Sequence, residues 1–180
     1  CNVHDNGSDG VYLCWGVSNS EVVDCDVYRN GGRLYRNGIS TGHKDTDNLI
    51  AGNRIRENAK HGIHFRIKTE ANGAHRTIVR DNIIEDSGWP FERVPEKLKQ
   101  LPRQELLGHG IYVSGTTHDL TFENNTIRET RTGDQRHQRH AFYLAPGVTR
   151  VTMSDNIIEG HPDAPIVDNA NSSTNQLQET

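Results

Sequence analysis

A short pattern, N-x-I-x-x-x-G in its fullest form, recurs along this 180-residue chain, and repetition at its spacing restricts the fold more than any other feature. The copies are CNVHDNG (1–7), CDVYRNG (25–31), NRIREN (53–58), NIIEDSG (82–88), NTIRET (125–130) and NIIEG (156–160). Their anchors at Cys1, Cys25, Asn53, Asn82, Asn125 and Asn156 lie 24, 28, 29, 43 and 31 residues apart. Within each period a second apolar segment follows a Gly or Ala: GVYL (10–13), GISTG (38–42), GIHFR (62–66), GIYVS (110–114) and AFYLA (141–145). A third leads into the next anchor: SEVVDC, DNLIAGN, RTIVRDN, DLTFENN and RVTMSDN. Three short strands per period, none able to bury its apolar edge alone, predict an all-β solenoid, a parallel β-helix of about five to six turns.

Parallel stacking sets equivalent residues roughly 4.8 Å apart in columns. Three inward columns are predicted: Val3, Val27, Ile55, Ile84, Ile127, Ile158; Val11, Ile39, Ile63, Ile111, Phe142; and Val22, Ile50, Val79, Phe122, Met153. The anchors from Asn53 to Asn156 become an Asn ladder, in which amides satisfy one another and the turn backbone. Two outward columns alternate in sign, Arg56, Glu85, Arg128, Glu159 and Asp47, Arg76, Asp119, Arg150, which marks most of the charge as structural. Domain 1–168 carries the repeat with one insertion at 89–108, whose PEKLKQL string predicts a helical turn or two begun by Pro95. Residues 169–180 are too polar to offset their ordering entropy and read as a tail or linker. The chain opens CNVHDNG with neither an initiator Met nor a signal peptide, as a mature product or a fragment would.

Composition agrees with a thin, polar fold. Hydrophobic residues are 32%, Asn occurs 16 times, and no apolar run is long enough for a bilayer helix. Twenty basic against 24 acidic residues argue against a nucleic-acid binder, and a monomer is expected. Cys1 and Cys25 share a column on adjacent turns, either as a bridge or, favoured here, as two small thiols; Cys14 has no partner and no zinc spacing exists.

Chemistry concentrates on the second strand. Its outward column reads Tyr12, Ser40, His64, Tyr112, Tyr143, and the turn before it offers Asp9, Asn37, His61, His109, His140. Imidazoles and phenols at these positions hydrogen-bond, stack on sugar faces and move protons near neutrality. Long connections flank the strand, so the His/Tyr face is expected to floor a groove, with Trp15, Trp89 or Phe91 as stacking platforms. Gly42 leaves room for Arg66 of the next turn to reach toward His43 and Lys44, giving an anion-holding group beside His43, Lys44 or His64 as base. The catalytic candidates are therefore His43, Lys44, His64, Arg66 and Tyr112, with Tyr12, Trp15, Asn37, Asp45, His61, Trp89, His109, His140 and Tyr143 as substrate contacts. No metal site is expected, although Asp45 and Asp47 offer Ca²⁺ two carboxylates without a third ligand. Asp45 and Glu70 are the one pair suggested for a glycosidase.

These strings, above all YLCWGVSNSEVVDCDVYRNG (12–31), NGISTGHKDTDNLI (37–50) and HGIHFR (61–66), resemble the right-handed β-helix repeat proteins of the pectate-lyase-like superfamily. The resemblance covers residues 1 to about 168 and implies a right-handed coil, a polysaccharide substrate and an extracellular or periplasmic location. Neither the aspartate sets of polygalacturonases nor the epimerase signature of tyrosine, glycine, aspartate, proline and histidine is present. The expected activity is lyase-type β-elimination on an acidic glycan, with a glycoside hydrolase or a non-catalytic carbohydrate-binding module as the alternatives.

Overall fold

A computed structural model describes residues 1–66 and 68–178, and its strands form three parallel sheets of six, six and five strands in which no sequence neighbours pair. The anchor sheet stacks Asn2–His4, Asp26–Tyr28, Arg54–Arg56, Ile83–Glu85, Thr126–Arg128 and Ile157–Glu159. The second, here the aromatic sheet, stacks Val11–Tyr12, Ile39–Thr41, His61–Phe65, Gly108–Val113, Gln138–Leu144 and Ile166–Asp168. The third stacks Glu21–Val23, Leu49–Ala51, Ile78–Arg80, His118–Glu123 and Thr149–Ser154. All three apolar columns stand in the predicted register, for example Ile55, Ile84, Ile127 and Ile158, and they fill one continuous core.

Each turn bends at three corners, and at most of them one residue takes the left-handed conformation. Asp24, Gly52, Asp81, Asn124 and Asp155 do so just before the anchors, Asp5, Arg29, Glu57 and Asp86 after the anchor strand, and Asp47, Arg76, Asp119 and Arg150 before or at the start of the third strand, all with φ between 50° and 65°. Short polar side chains tolerate that conformation best, because they bond locally. The arginines among them lie parallel to a carboxylate one turn away: Arg29 grips Asp5 at 2.9 and 2.7 Å, Arg76 grips Asp47 at 2.6 and 2.8 Å, and Arg150 grips Asp119 at 2.6 and 3.1 Å. In the other charged column the register is as expected but the pairing differs. Glu85 takes Arg128 (2.6 Å) and Arg54 (3.1 Å), while Arg56 turns to Asp26 (2.9 Å).

The Asn ladder is continuous: side-chain Nδ2 of Asn53, Asn82 and Asn125 donates to Oδ1 of the next Asn at 2.9, 3.0 and 2.9 Å. Asn6, Asn30 and Asn58 form a second, shorter ladder at the next corner (2.9 and 3.1 Å), which ends where Ser87 takes the following place. Glycines recur at the head of the aromatic strands because the Ile column leaves no room there. A Cβ on Gly38, Gly62 or Gly110 stands 2.8, 2.5 and 2.5 Å from the γ2 methyls of Ile55, Ile84 and Ile127. Gly62→Ala is therefore an overpacking change and should cost about 1–3 kcal/mol in urea-unfolding stability; an unchanged midpoint would remove this reading of the glycine column.

Cys1 and Cys25 are free thiols with Sγ atoms 2.9 Å apart. The segment expected to be a tail engages the last turn through residue 178. Gln176 bridges Thr152, Leu177 packs on the core, and Gln178 Oε1 accepts Nδ2 of Asn156 at 2.7 Å, so a glutamine caps the ladder; 179–180 lie outside the described residues. The insertion folds as a cap of short 3-10 turns (Phe91–Arg93, Glu96–Leu98, Arg103–Leu106), the middle one preceded by Pro95 and shorter than the expected helix. Its own small core joins Val94 and Leu106 to Tyr35 and Ala59, with Trp89 and Leu98 packed alongside.

Candidate active site

The aromatic sheet places the two predicted columns side by side, but only one meets solvent. His61, His109 and His140 stack at 5.0 and 5.2 Å between centroids. His61 is 1% exposed and His109 0%. No ring nitrogen of either has a hydrogen-bond partner among the described residues. Burial, the largest cause, holds both imidazoles well below their usual range, and Lys60 reinforces it. The Gln104 carbonyl of the cap pulls His109 the other way; it makes no bond of good geometry with the ring. His140 is fixed by the Ala164 carbonyl at 2.7 Å. These three histidines are stacking members of the wall rather than an open floor, a difference that arises because the cap's Arg103–Leu106 turn lies against this face.

The second column runs Tyr12, Ser40, His64, Tyr112, Tyr143 in register. Asn37 ties its middle together: Nδ2 lies 2.9 Å from Asp9 Oδ1, 3.0 Å from Ser40 Oγ and 3.3 Å from His64 Nδ1, three neighbours for two N–H groups. The His64 ring makes the longest of these three contacts. Burial keeps it neutral, its pKa well below the ordinary value. Tyr112 stacks on Tyr143 (5.1 Å) and His61 (4.8 Å), and burial raises its pKa to about 12, which keeps its proton in place near neutrality. Lys60, absent from the sequence candidates, precedes this strand half-buried, and burial and Arg36 lower it to about 8. Its only sequence signal was a Lys directly before HGIHF.

Arg66 stacks over Gly42, whose added Cβ would stand 3.0 Å from the arginine Cβ. It does not turn to His43 and Lys44, as expected, but crosses two turns to donate to the Tyr12 hydroxyl, its guanidinium 4.9 Å from that ring. Asp45 is fully buried and serves the loops: Oδ1 accepts the amides of Gly16 (3.1 Å) and Val17 (2.9 Å), and Oδ2 that of Gly42 (2.9 Å). With Asp47 held by Arg76, neither carboxylate is left for Ca²⁺, and Asp45 makes no glycosidase pair with Glu70, which lies 3.4 Å from His118. Trp89 is half-buried and does not stand as an open platform. It packs 6.1 Å from Tyr35, with Arg93 stacked 4.0 Å over it.

A cleft of about 410 Å³ opens at the end of the upper strands, lined by Trp15, Gly16, His43, Lys44, Lys68 and Asn72. Trp15 is 85% exposed and meets His43 edge-on at 5.2 Å. Trp15, His43 and Lys44 hold φ of 70°, 70° and 68°, a left-handed backbone unusual for bulky side chains and worth about 1–2 kcal/mol each. Such strain persists where surrounding structure imposes it: Asp45 pins Gly16, Val17 and Gly42 on both sides, and the Lys44 amide bonds the Asn72 carbonyl at 3.0 Å. Neither lysine nor Arg66 has a carboxylate within ion-pair distance among the described residues.

A solenoid of this topology, three parallel sheets coiled around one apolar core, defines the class of parallel β-helix proteins. The model of a right-handed β-helix region matches residues 1–127 and again 70–180, and the chain belongs to that family. Among solved structures, a double mutant of the periplasmic alginate epimerase AlgG matches with a TM-score of 0.52 at 11% identity. The match covers 93% of this chain and 38% of that one, and it shows the shared coil. No curated protein sequence matches. No helix among the described residues is long and apolar enough to cross a membrane.

Proposed function

We propose that the protein acts on an acidic polysaccharide outside the cytoplasm, and that the reaction is β-elimination beside a uronate carboxylate. The observation that carries this reading is the exposed, strained Trp15 over a cleft whose cations, Lys44 and Lys68, have no carboxylate partner. An aromatic face accepts the apolar side of a sugar ring, and unpaired ammonium groups accept its carboxylate. In β-elimination a base removes the proton α to the carboxylate, the electron pair forms the new C=C bond, and the C–O bond to the next sugar breaks as its oxygen takes a proton. His43 is the base in this scheme, with Nδ1 beside Cys14 Sγ (3.6 Å). Arg66, stacked over Gly42, and the lysines stabilise the charge that develops on the carboxylate. The leaving oxygen takes its proton from water, since Tyr112 stands in the stack with His61 and Tyr143 and does not line this cleft.

One observation favours binding without turnover. His43 Nε2 is buried and has no hydrogen-bond partner among the described residues, so this nitrogen is not open to solvent. The two readings separate in one assay on a panel of polyuronates: ultraviolet absorbance from unsaturated uronate marks elimination, and binding without it marks the module. Arg66→Ala should abolish turnover while shifting stability by no more than about 0.5 kcal/mol, the usual limit for a surface side chain. Arg66→Lys should recover little, since an ammonium lacks the planar fork. Full activity in a folded Arg66→Ala variant would refute the charge-stabilising role.

A further inference from the structure

A second concavity, of about 590 Å³, shares no lining residue with the Trp15 cleft. It lies between the corner of the first turns and the base of the cap, and its volume is within the range of roughly 300–1,000 Å³ typical of ligand sites. Three carboxylates line it, and each is already engaged. Asp5 holds Arg29, Asp86 accepts the amide and hydroxyl of Thr130 at 2.6 Å each, and Glu57 lies 3.8 Å from Arg56. Arg131 is bound to Glu129 at 2.7 Å. Two lining arginines remain, Arg33 and Arg93, with no carboxylate in ion-pair distance among the described residues. The Arg93 guanidinium carbon stands 4.0 Å over the Trp89 ring centroid, a cation–π contact that holds this arginine beside the cleft.

We propose that this cleft is a second saccharide subsite, in which Arg33 and Arg93 hold a carboxylate of an acidic glycan and the edge of Trp89 meets the sugar ring. The choice of ligand class rests on the function proposed above; the site itself rests on the unpaired guanidiniums and the stacked ring. A planar fork pairs with a carboxylate through two parallel bonds, an arrangement a lysine does not offer. Both arginines are exposed, so the attraction weakens as salt rises. A subsite apart from the Trp15 cleft contributes chiefly to long chains, which engage both at once, and little to short ones that fill a single site.

The test measures binding of polygalacturonate, alginate and trigalacturonate to the whole chain by calorimetry at low and high salt. The variants are Arg33→Gln with Arg93→Gln, Arg93→Lys alone, and Trp15→Ala with Lys44→Ala. The double Gln variant should weaken polymer binding at least tenfold at low salt and leave trimer binding within twofold. Arg93→Lys should fall between it and the wild type. Polymer affinity unchanged in the double Gln variant overturns the subsite, as does an equal loss for trimer and polymer, which would mark a diffuse field. If the Trp15 and Lys44 substitutions change nothing while the double Gln variant loses the polymer, the subsite stands and the proposed cleft falls. A wild type that binds neither polyuronate overturns both.

Discussion

Asn125→Ala should destabilise the protein by on the order of 4 kcal/mol, more than any change to the exposed face. The Asn125 side chain is fully buried and makes four bonds. Nδ2 donates to the Val79 carbonyl (3.0 Å) and to Asn156 Oδ1 (2.9 Å), and Oδ1 accepts from the amide (3.1 Å) and the Nδ2 (3.0 Å) of Asn82. Truncation does not orphan all four partners. Asn82 Nδ2 keeps the Ile50 carbonyl, and Asn156 Oδ1 keeps the Asn125 backbone amide. The Val79 carbonyl and the Asn82 amide lose these partners inside the corner, at roughly 1–3 kcal/mol each, and a methyl group fills less space than the amide it replaces. Asn171→Ala provides the control. That residue is exposed, its amide reaching only the Asn169 carbonyl at 3.5 Å, and its loss should stay within about 0.5 kcal/mol. Urea midpoints for both variants check the prediction, and coincident midpoints would remove the ladder as a source of stability.

The ladder was legible in the sequence for the same reason as the apolar columns. A side chain that must meet its own equivalent one turn away recurs at a fixed offset from the β-branched positions, and Asn53, Asn82, Asn125 and Asn156 all precede such a position. The second ladder was not, because Asn6, Asn30 and Asn58 stop when Ser87 takes their place, and a column of three is hard to separate from scattered turn residues. Alternating charge pointed correctly to stacked turns but not to pairing, since Arg54 and Arg56 both face outward and either can reach a neighbouring carboxylate.

Site residues were legible as a face and not as individual roles. The register alone brings Tyr12, Ser40, His64, Tyr112 and Tyr143 into line and sets Arg66 over Gly42. What each side chain does depends on groups distant in sequence. Asp45 sits in a string rich in polar residues, and only the folded loops reveal that three amides converge on it. Trp89 looked like an open platform until the cap closed on Tyr35, more than fifty residues away. His61 and His109 occupy the predicted column, yet their burial depends on how the 89–108 segment docks, which no local pattern encodes.

That burial carries the last prediction. Stability should decline as the pH falls from 7.5 toward 5.5, well above the range where the surface carboxylates titrate. His61 and His109 are enclosed with no partner for either ring nitrogen, and burial first, then neighbouring cations and imidazoles, disfavours their charged forms. Each has a folded pKa below its unfolded value of about 6.5, so the unfolded chain binds the proton more readily. Their contribution is therefore fully present above pH 6.5 and is lost as the pH drops through the window between the unfolded and the folded values. Each imidazole costs at most about 1.4 kcal/mol per pH unit in its window, and His64, likewise held well below its usual range, and His161, lowered to about 4, add to the same loss. The Asp47 and Asp119 carboxylates, lowered to about 2 by their arginines, lose their contribution only below about pH 4 and do not confuse the reading. Urea unfolding at pH 7.5, 6.5 and 5.5 measures the slope, and His109→Phe, which keeps a ring in the stack but cannot take a proton, should make it shallower by the share of one imidazole among the several held low. A flat midpoint across that range in the wild type would mean that the two histidines meet water or a hydrogen-bond partner after all, and that the cap does not seal this face.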